Sequence, residues 1–328
     1  MNALSASSAS PASPASPASS ASPRPLDVAV TGGSGLVGRA LVAALAARGH
    51  TVRALSRAAN RTGGPSNVRW VAYAPDDARS VAAAIEGVDA VVNLAGHGLF
   101  DGRWTAAGMA RIRASRIDGT KALVTAIGTL ARKPAALVSA SAVGWYGPLA
   151  PDRTVDETAG PGDGFLAEVC RAWEAEAAKA EALGVRVAVA RLGVVLAKDG
   201  GALKQMALPF KFFVGGPVGN GRQVMSWIHR DDLVAMLVAM VEDGRWRGAY
   251  NATAPFPASN KAFSRALGRA LGRPSFLPTP GLALRVVLGK VASLVTTGQR
   301  VLPQAAQALG FTFRFPKAED ALAEIYRA

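Results

Sequence analysis

A doubly wound α/β sheet followed by a smaller C-terminal part is the fold the sequence predicts, and three observations predict it. The first is residues 26–57, LDVAVTGGSGLVGRALVAALAARGHTVRALSR, which fit an apolar strand, a glycine turn, an amphipathic helix and a second strand into about thirty residues. The second is the alternation of strands and helices that continues from there to residue 192. The third is bulk: 328 residues, 50% of them hydrophobic, can bury a full α/β domain and a companion.

Residues 1–25 consist mainly of Ala, Ser and Pro in a near-regular Ser-Pro-Ala repeat. They offer no large side chains to bury and are expected to form a disordered tail outside the fold. The tail lacks the basic-then-apolar order of a secretory signal and the several arginines of a transit peptide, so the expected location is cytoplasmic. Val28 to Val30 then read as a buried strand, and Leu36, Val37, Ala40, Leu41, Ala44 and Leu45 recur at helical spacing. Between them Gly32, Gly33, Gly35 and Gly38, with Ser34, make the turn. Such glycines permit positive φ and let backbone N–H groups approach a pyrophosphate at the positive end of the helix, while Gly38 allows helix and strand to pack closely. The turn from Gly32 through Leu36 and Val37 to Gly38 is therefore a candidate dinucleotide site on a Rossmann-type sheet.

Past Arg57 a Gly/Pro/Asn loop leads to a strand at 68–73, a helix at 79–86 and a strand at 89–94 that runs into Ala95-Gly96. A helical region at 104–130, a strand at 135–141, a helix at 165–183 and a strand at 185–192 bring the expected parallel strands to six. Residues 198–223 are irregular and glycine-rich, as a segment covering a substrate would be. Residues 226–229 and a helix at 231–241, capped by Asp231 or Asp232, are expected to return to the sheet. An amphipathic helix at 281–296, a strand at 311–315 from the alternation Phe-Thr-Phe-Arg-Phe, and a helix at 318–326 complete the reading. The expected division is a cofactor-binding domain at 26–198 and 225–252, with a substrate-side segment and small C-terminal domain at 199–224 and 253–328.

Composition excludes several classes. One cysteine, Cys170, rules out an internal disulfide, and His50, His97 and His229 are too scattered to announce a metal site. The most apolar late segment, 281–296, is short and interrupted by Arg285 and Lys290, so no integral membrane segment is expected. The net charge of +14 raises the question of nucleic acid, but the arginines stand singly, without basic runs or interleaved aromatics. A small-molecule substrate is expected instead, and an oligomer is compatible with the chain.

The chemistry at the end of the second strand bears on cofactor choice. A carboxylate there takes the ribose hydroxyls of NAD and repels a 2′-phosphate. This strand ends Ser56-Arg57, a hydroxyl and a guanidinium that suit the phosphate of NADP(H), although a solvated arginine reads the same way.

A set of ordered motifs carries a family resemblance: TGGSGLVG at 31–38, NLAG at 93–96, DGRW at 101–104, IRASRIDGT at 112–120, SASAVGWYG at 139–147, FLAEVCRAWE at 165–174, GGPVGNGRQ at 215–223 and SWIHRDDL at 226–233. From residue 26 onward the chain resembles the atypical extended short-chain dehydrogenases/reductases, the NAD-dependent epimerase/dehydratase-like group of SDR39U type, with its small C-terminal domain. The resemblance implies that the backbone of Leu94, Ala95 and Gly96 passes beside the adenine ribose. It suggests a cofactor contact for Arg116, equally readable as a surface arginine, and a nicotinamide-side place for Val194, also readable as core.

Relatives of this kind carry out proton transfer with Tyr-x-x-x-Lys and a substrate-orienting serine. Ser141 matches the serine, and Tyr146 lies nearby. The dyad segment reads Phe165-Leu-Ala-Glu-Val169-Cys170, with neither tyrosine nor lysine in place. Glu168 reads as an acid/base or an exposed helix carboxylate, and His229 as a relay or a cap. Trp104, Trp145 and Trp227 read as pocket lining or core. Two functions follow: an NADP(H)-dependent oxidoreductase or nucleotide-sugar epimerase-like enzyme with Ser141 and Tyr146 at its centre, or an NADP(H)-binding regulatory protein without turnover, linked through the resemblance to cell division.

Overall fold

The computed structural model describes residues 24–58, 64–99, 102, 104–278 and 296–327. The expected tail and the expected helix at 281–296 lie almost entirely outside the described residues. A seven-stranded sheet organises the chain, built from β1 (Asp27–Thr31), β2 (Thr51–Ser56), β3 (Val68–Ala72), β4 (Ala90–Asn93), β5 (Ala136–Ala142), β7 (Arg186–Leu192) and β11 (Gly248–Ala252). Its order is β11-β7-β5-β4-β1-β2-β3, and every neighbouring pair is parallel. The doubly wound Rossmann-type fold read from the sequence is therefore the one observed. The chain reverses its direction of travel between β1 and β4, which opens a crevice at their carboxyl ends.

Strand period explains the two cores. Val28, Val30, Ala136, Val138, Ala188 and Ala190 face helices α1 (Leu36–Ala47) and α6 (Arg230–Glu242). The alternate residues Ala29, Val91, Leu137, Val187 and Val189 pack beneath α2 (Ala78–Ile85), α3 (Ala106–Thr129) and α4 (Phe165–Ala178). Two of these helices start on a side-chain cap: Asp77 accepts from Arg79 N–H, and Thr105 accepts from Gly108 N–H. Helix α1 starts without one. Gly35 stands at its cap with no side-chain hydrogen bond, and its first turn holds no acidic residue.

A third core joins α5 (Gly201–Lys211), α7 (Asn260–Leu271) and α9 (Ala318–Ile325) around the fully buried Trp227. Short pairs attach this layer: β8 (Val194–Leu196) runs parallel to β10 (Trp227–His229), and β9 (Val224–Met225) antiparallel to β12 (Ala258–Ser259). The pair β6 (Thr154–Val155) and β13 (Arg300–Val301) ties the late chain to the loop after β5, and α8 (Gln304–Ala308) follows it.

Four expectations change. The seventh strand of the sheet is β11, whereas residues 227–229 pair with β8 instead. Residues 198–223 are not wholly irregular, because Leu203, Ala207 and Phe210 recur at helical spacing and bury one face of α5. Helix α6 is capped by His229, whose Nδ1 accepts from Asp231 N–H at 3.1 Å, and not by Asp231 or Asp232. Asp232 points the other way and accepts the N–H groups of Arg314 and Phe315, each at 2.9 Å. That contact explains the fourth change. Residues 311–315 keep the alternating burial of Phe313 and Phe315, but their backbone donors go to a carboxylate instead of a neighbouring strand.

Candidate functional site

The glycine turn is fixed by contact distances. Gly32 has a φ of 66°, and a Cβ there would lie 2.8 Å from the Leu94 carbonyl oxygen. A Cβ on Gly38 would lie 2.2 Å from the Gly32 carbonyl oxygen, so only glycine lets α1 start against the turn. Thr31 holds the opposite wall: its Oγ1 donates to Asn93 Oδ1 at 2.8 Å and accepts from the N–H groups of Leu94 and Ala95. The turn from Gly32 to Gly38, with Ser34, Gly35, Leu36 and Val37, and the strip Leu94-Ala95-Gly96 thus face each other across the crevice. Leu36 is also touched from above, since a Cβ on Gly200 would stand 3.1 Å from its Cδ1.

Arg116 rises from α3 beside this strip. Its guanidinium donates to the His97 and Ile112 carbonyls, abuts Gly96 and lies 5.3 Å from the centre of the Trp173 ring. Burial lowers its pKa, and it forms no salt bridge with a carboxylate among the described residues. An arginine kept charged in that setting is a ready partner for an anion. At the end of β2, Ser56 is buried and Arg57 is exposed beside Tyr73.

Ser141 and Tyr146 meet in one buried network at the carboxyl ends of β5 and β7. Ser141 Oγ donates to Glu174 Oε1 at 2.6 Å. Arg191 grips the same carboxylate with two bonds, Nε to Oε1 at 3.0 Å and Nη2 to Oε2 at 2.9 Å. Its Nη1 donates to the Tyr146 hydroxyl at 3.0 Å, and that hydroxyl donates to Asn251 Oδ1 at 2.8 Å. The Arg191 guanidinium also stacks 3.9 Å over the Trp145 ring. Burial pushes the Tyr146 phenol above its ordinary pKa, and Arg191 offsets this only in part, so the phenol stays protonated at neutral pH. Two spacings of parallel strands, roughly 10 Å, separate β5 from β1 and so place this network on the same edge of the sheet as the glycine turn.

The sequence pattern of the NAD dependent epimerase/dehydratase family matches residues 28–252, and that of the domain of unknown function DUF1731 matches residues 279–325. The chain belongs to the NAD-dependent epimerase/dehydratase family. It is similar to the chloroplastic epimerase family protein SDR39U1 homolog of Arabidopsis thaliana, 40% identical over 309 residues that span 92% of this chain and 86% of that protein. The epimerase family protein YfhF of Bacillus subtilis (strain 168) is 37% identical over 300 residues, 92% of this chain and 98% of its own. The crystal structure of human epimerase family protein SDR39U1 (isoform 2) with NADPH superimposes with a TM-score of 0.82 at 34% identity, covering 92% of this chain and 99% of that one. The family resemblance carried by the motifs is thereby borne out.

Family membership sharpens the question of the dyad. Leu166, Cys170 and Glu174 recur at i, i+4 and i+8 on the face of α4 turned to the end of β5: a Cβ on Gly144 would stand 3.1 Å from Leu166 Cβ and 3.7 Å from Cys170 Sγ, Cys170 lies against the Ala142 carbonyl, and Glu174 bonds Ser141. The α4 side chains that pack at the end of β5 are thus Leu166 and Cys170, one position on from Phe165 and Val169. Glu168 is exposed on the outer face of α4. Val194 lies in β8 and is partly buried against the third core. His229 caps α6 and donates from Nε2 to Glu324 at 3.0 Å, while Phe315 packs on its ring. Trp104 packs edge-on against Phe165, and Trp227 is core.

Sequence reading missed Glu174, Arg191 and Asn251. Arg191 was detectable as the one charge after the apolar run Val187–Ala190, and Glu174 as a carboxylate two turns after Leu166 on α4.

Two acids of this region make the fold sensitive to alkali. Burial, reinforced by the Glu174 charge, pushes the Cys170 thiol up from 9.0 to about 11, and burial pushes Tyr73 up from 10.0 to about 12. Both hold their protons more tightly folded than unfolded. The stability they contribute is complete below about pH 9 and declines as pH rises through the folded values. The denaturant midpoint is expected to fall steadily between about pH 9 and 11, and Cys170 to resist iodoacetamide at about pH 8 until the chain unfolds. A flat midpoint over that window, or rapid alkylation of the folded protein, contradicts this placement.

Proposed function

We propose that the protein is an NADP(H)-dependent oxidoreductase or nucleotide-sugar epimerase-like enzyme acting on a small-molecule substrate in the cytoplasm. The observation that carries the reading is the Ser141–Glu174–Arg191 chain standing on the same sheet edge as a glycine turn whose backbone admits no Cβ at Gly32 or Gly38. The residues present fit the cofactor. The uncapped, acid-free start of α1 with the backbone from Gly32 to Gly38 suits the pyrophosphate, Arg116 adds a cation, and Ser56 with Arg57 suits a 2′-phosphate. Leu94, Ala95 and Gly96 leave room for the ribose, and Val194 is assigned to the nicotinamide side.

When bound, the cofactor gives or takes a hydride. The chain's own part is the proton. A substrate hydroxyl passes its proton to Ser141 Oγ as the serine passes its own to Glu174 Oε1, and the reverse transfer returns it. Arg191 fixes the carboxylate for both directions, and Tyr146 buttresses Arg191. Residues 199–224 and 253–328 form the substrate side, against a cofactor domain at 26–198 and 225–252.

A specific observation favours a second reading, an NADP(H)-binding regulator without turnover, linked to cell division. Ser141 and Tyr146 are each only 2% exposed, and both hydroxyls are already engaged inside the fold.

Calorimetric titration tests the cofactor assignment that both readings share. NADPH is expected to bind more tightly than NADH, and Arg57→Ala to weaken NADPH about tenfold to a hundredfold while leaving NADH unchanged. Equal losses for the two cofactors remove the phosphate role of Arg57.

A further inference from the structure

The chain's charge is concentrated in a way that points to an exposed surface carried by α5 and α7. Between Asp199 and Asp231, and again between Asp243 and Glu319, the sequence contains no acidic residue at all. Those two stretches hold fifteen of the 37 basic residues and none of the 23 acidic ones, so the rest of the chain is close to neutral. They supply α5, α7 and the loops that follow each helix.

The same loops carry a cluster of exposed apolar side chains. Leu208 is 49% exposed, Phe212 69%, Phe213 55% and Val214 52% at the end of α5, and Phe276 is 73% and Leu277 42% exposed in the chain after α7. The two groups adjoin. The Arg273 guanidinium lies 4.4 Å over the Phe213 ring, and the backbone of Gly216 abuts that of Leu277. Lys204 and Lys211 flank Leu208 on the outer face of α5, while Lys261, Arg265 and Arg269 form an exposed column on α7 that leads to Arg273. None of these six cations forms an ion pair among the described residues.

Backbone strain singles out the centre of the cluster. Phe213 has a φ of 63° and is the one non-glycine residue with positive φ among the described residues. It follows the Phe212 cap of α5, a place where glycine is the usual choice. An aromatic side chain more than half in solvent at a strained position gives the isolated fold little beyond its stack with Arg273.

We propose that this face docks on an anionic lipid surface, with Phe212, Phe213 and Phe276 inserted to headgroup depth and the basic residues around them held by lipid phosphates. Charge complementarity selects the occupant. A second copy paired face to face would set the cations of one rim against those of the other. Loop-borne phenylalanines ringed by Lys and Arg match a bilayer interface, which needs no complementary groove. No helix of the described residues is long and apolar enough to cross the membrane, so the contact is peripheral. The inference is independent of the reaction proposed for the crevice.

Sedimentation of the full chain with vesicles tests it. The protein is expected to bind vesicles of phosphatidylcholine mixed with phosphatidylglycerol, to ignore phosphatidylcholine alone, and to be released by added salt. Phe212→Ser with Phe213→Gly should weaken binding by about tenfold or more, and Lys204→Gln and Lys211→Gln by about fivefold each. Because Phe213→Gly relieves strain, that single variant should melt no lower than wild type, which separates lost docking from lost folding. Equal sedimentation on both vesicles, no sedimentation, or full binding by the double phenylalanine variant overturns the proposal. So does light scattering that reveals a dimer which the double variant splits, since the face would then belong to a second copy.

Discussion

Arg191→Leu is expected to destabilise the fold by about 3 to 5 kcal/mol, because it strands the Glu174 carboxylate in a buried setting with no cation to offset it. For a chain of this size the loss corresponds to a fall in melting temperature of roughly 6 to 20 °C. The Tyr146 hydroxyl loses one of its two partners in the same variant, and the Trp145 ring loses the guanidinium stacked on it. Removing the charge at both ends separates the ionic contribution from simple packing. Arg191→Leu combined with Glu174→Gln should recover a large part of the loss, since no uncompensated charge remains. Chemical denaturation of the two single variants and the double variant measures the coupling. Additive losses with no recovery would show that the pair acts through shape and not through charge.

The elements that sequence fixed best are those where local pattern and tertiary role agree. Residues 26–57 state the first βαβ unit because the strand is apolar, the turn is glycine and the helix buries one face, and all three persist in the fold. The errors fall where the pattern was satisfied by an unexpected partner. Residues 311–315 alternate like a strand, yet their backbone donors are taken by Asp232, a contact 82 residues distant that no local pattern announces. Residues 227–229 look like a sheet strand and pair with β8 because β11, an unremarkable GAYNA, takes the place beside β7. The same holds for the site. Ser141 was legible from its motif, whereas the pairing of Glu174 with Arg191 became visible only once α4 and β7 were brought together at 2.9 Å. A buried ion pair is assembled from two segments that each look ordinary alone.

That pair sets up the sharpest test of the proposed reaction. Ser141→Ala removes the only hydroxyl bonded to Glu174 among the described residues, while the glycine cradle and Arg116 stay untouched. The variant is expected to bind NADPH as wild type does and to lose turnover. Glu174→Gln keeps a hydrogen-bond acceptor beside the serine but cannot take its proton, and a loss of about a hundredfold to ten-thousandfold in rate is expected. Single-turnover loss of NADPH absorbance, measured with candidate sugar nucleotides and small carbonyl compounds, reads both effects. The regulatory reading makes the opposite forecast, in which no carbonyl compound oxidises bound NADPH and Ser141→Ala changes nothing. Fast turnover that survives Ser141→Ala would place the proton donor elsewhere, with the Tyr146 phenol next in line because it already sits 3.0 Å from the Arg191 guanidinium. Loss of turnover in Ser141→Ala with full activity in Glu174→Gln would instead mean that the serine orients substrate without passing its proton to the carboxylate, so the two variants together distinguish a relay from a positioning contact.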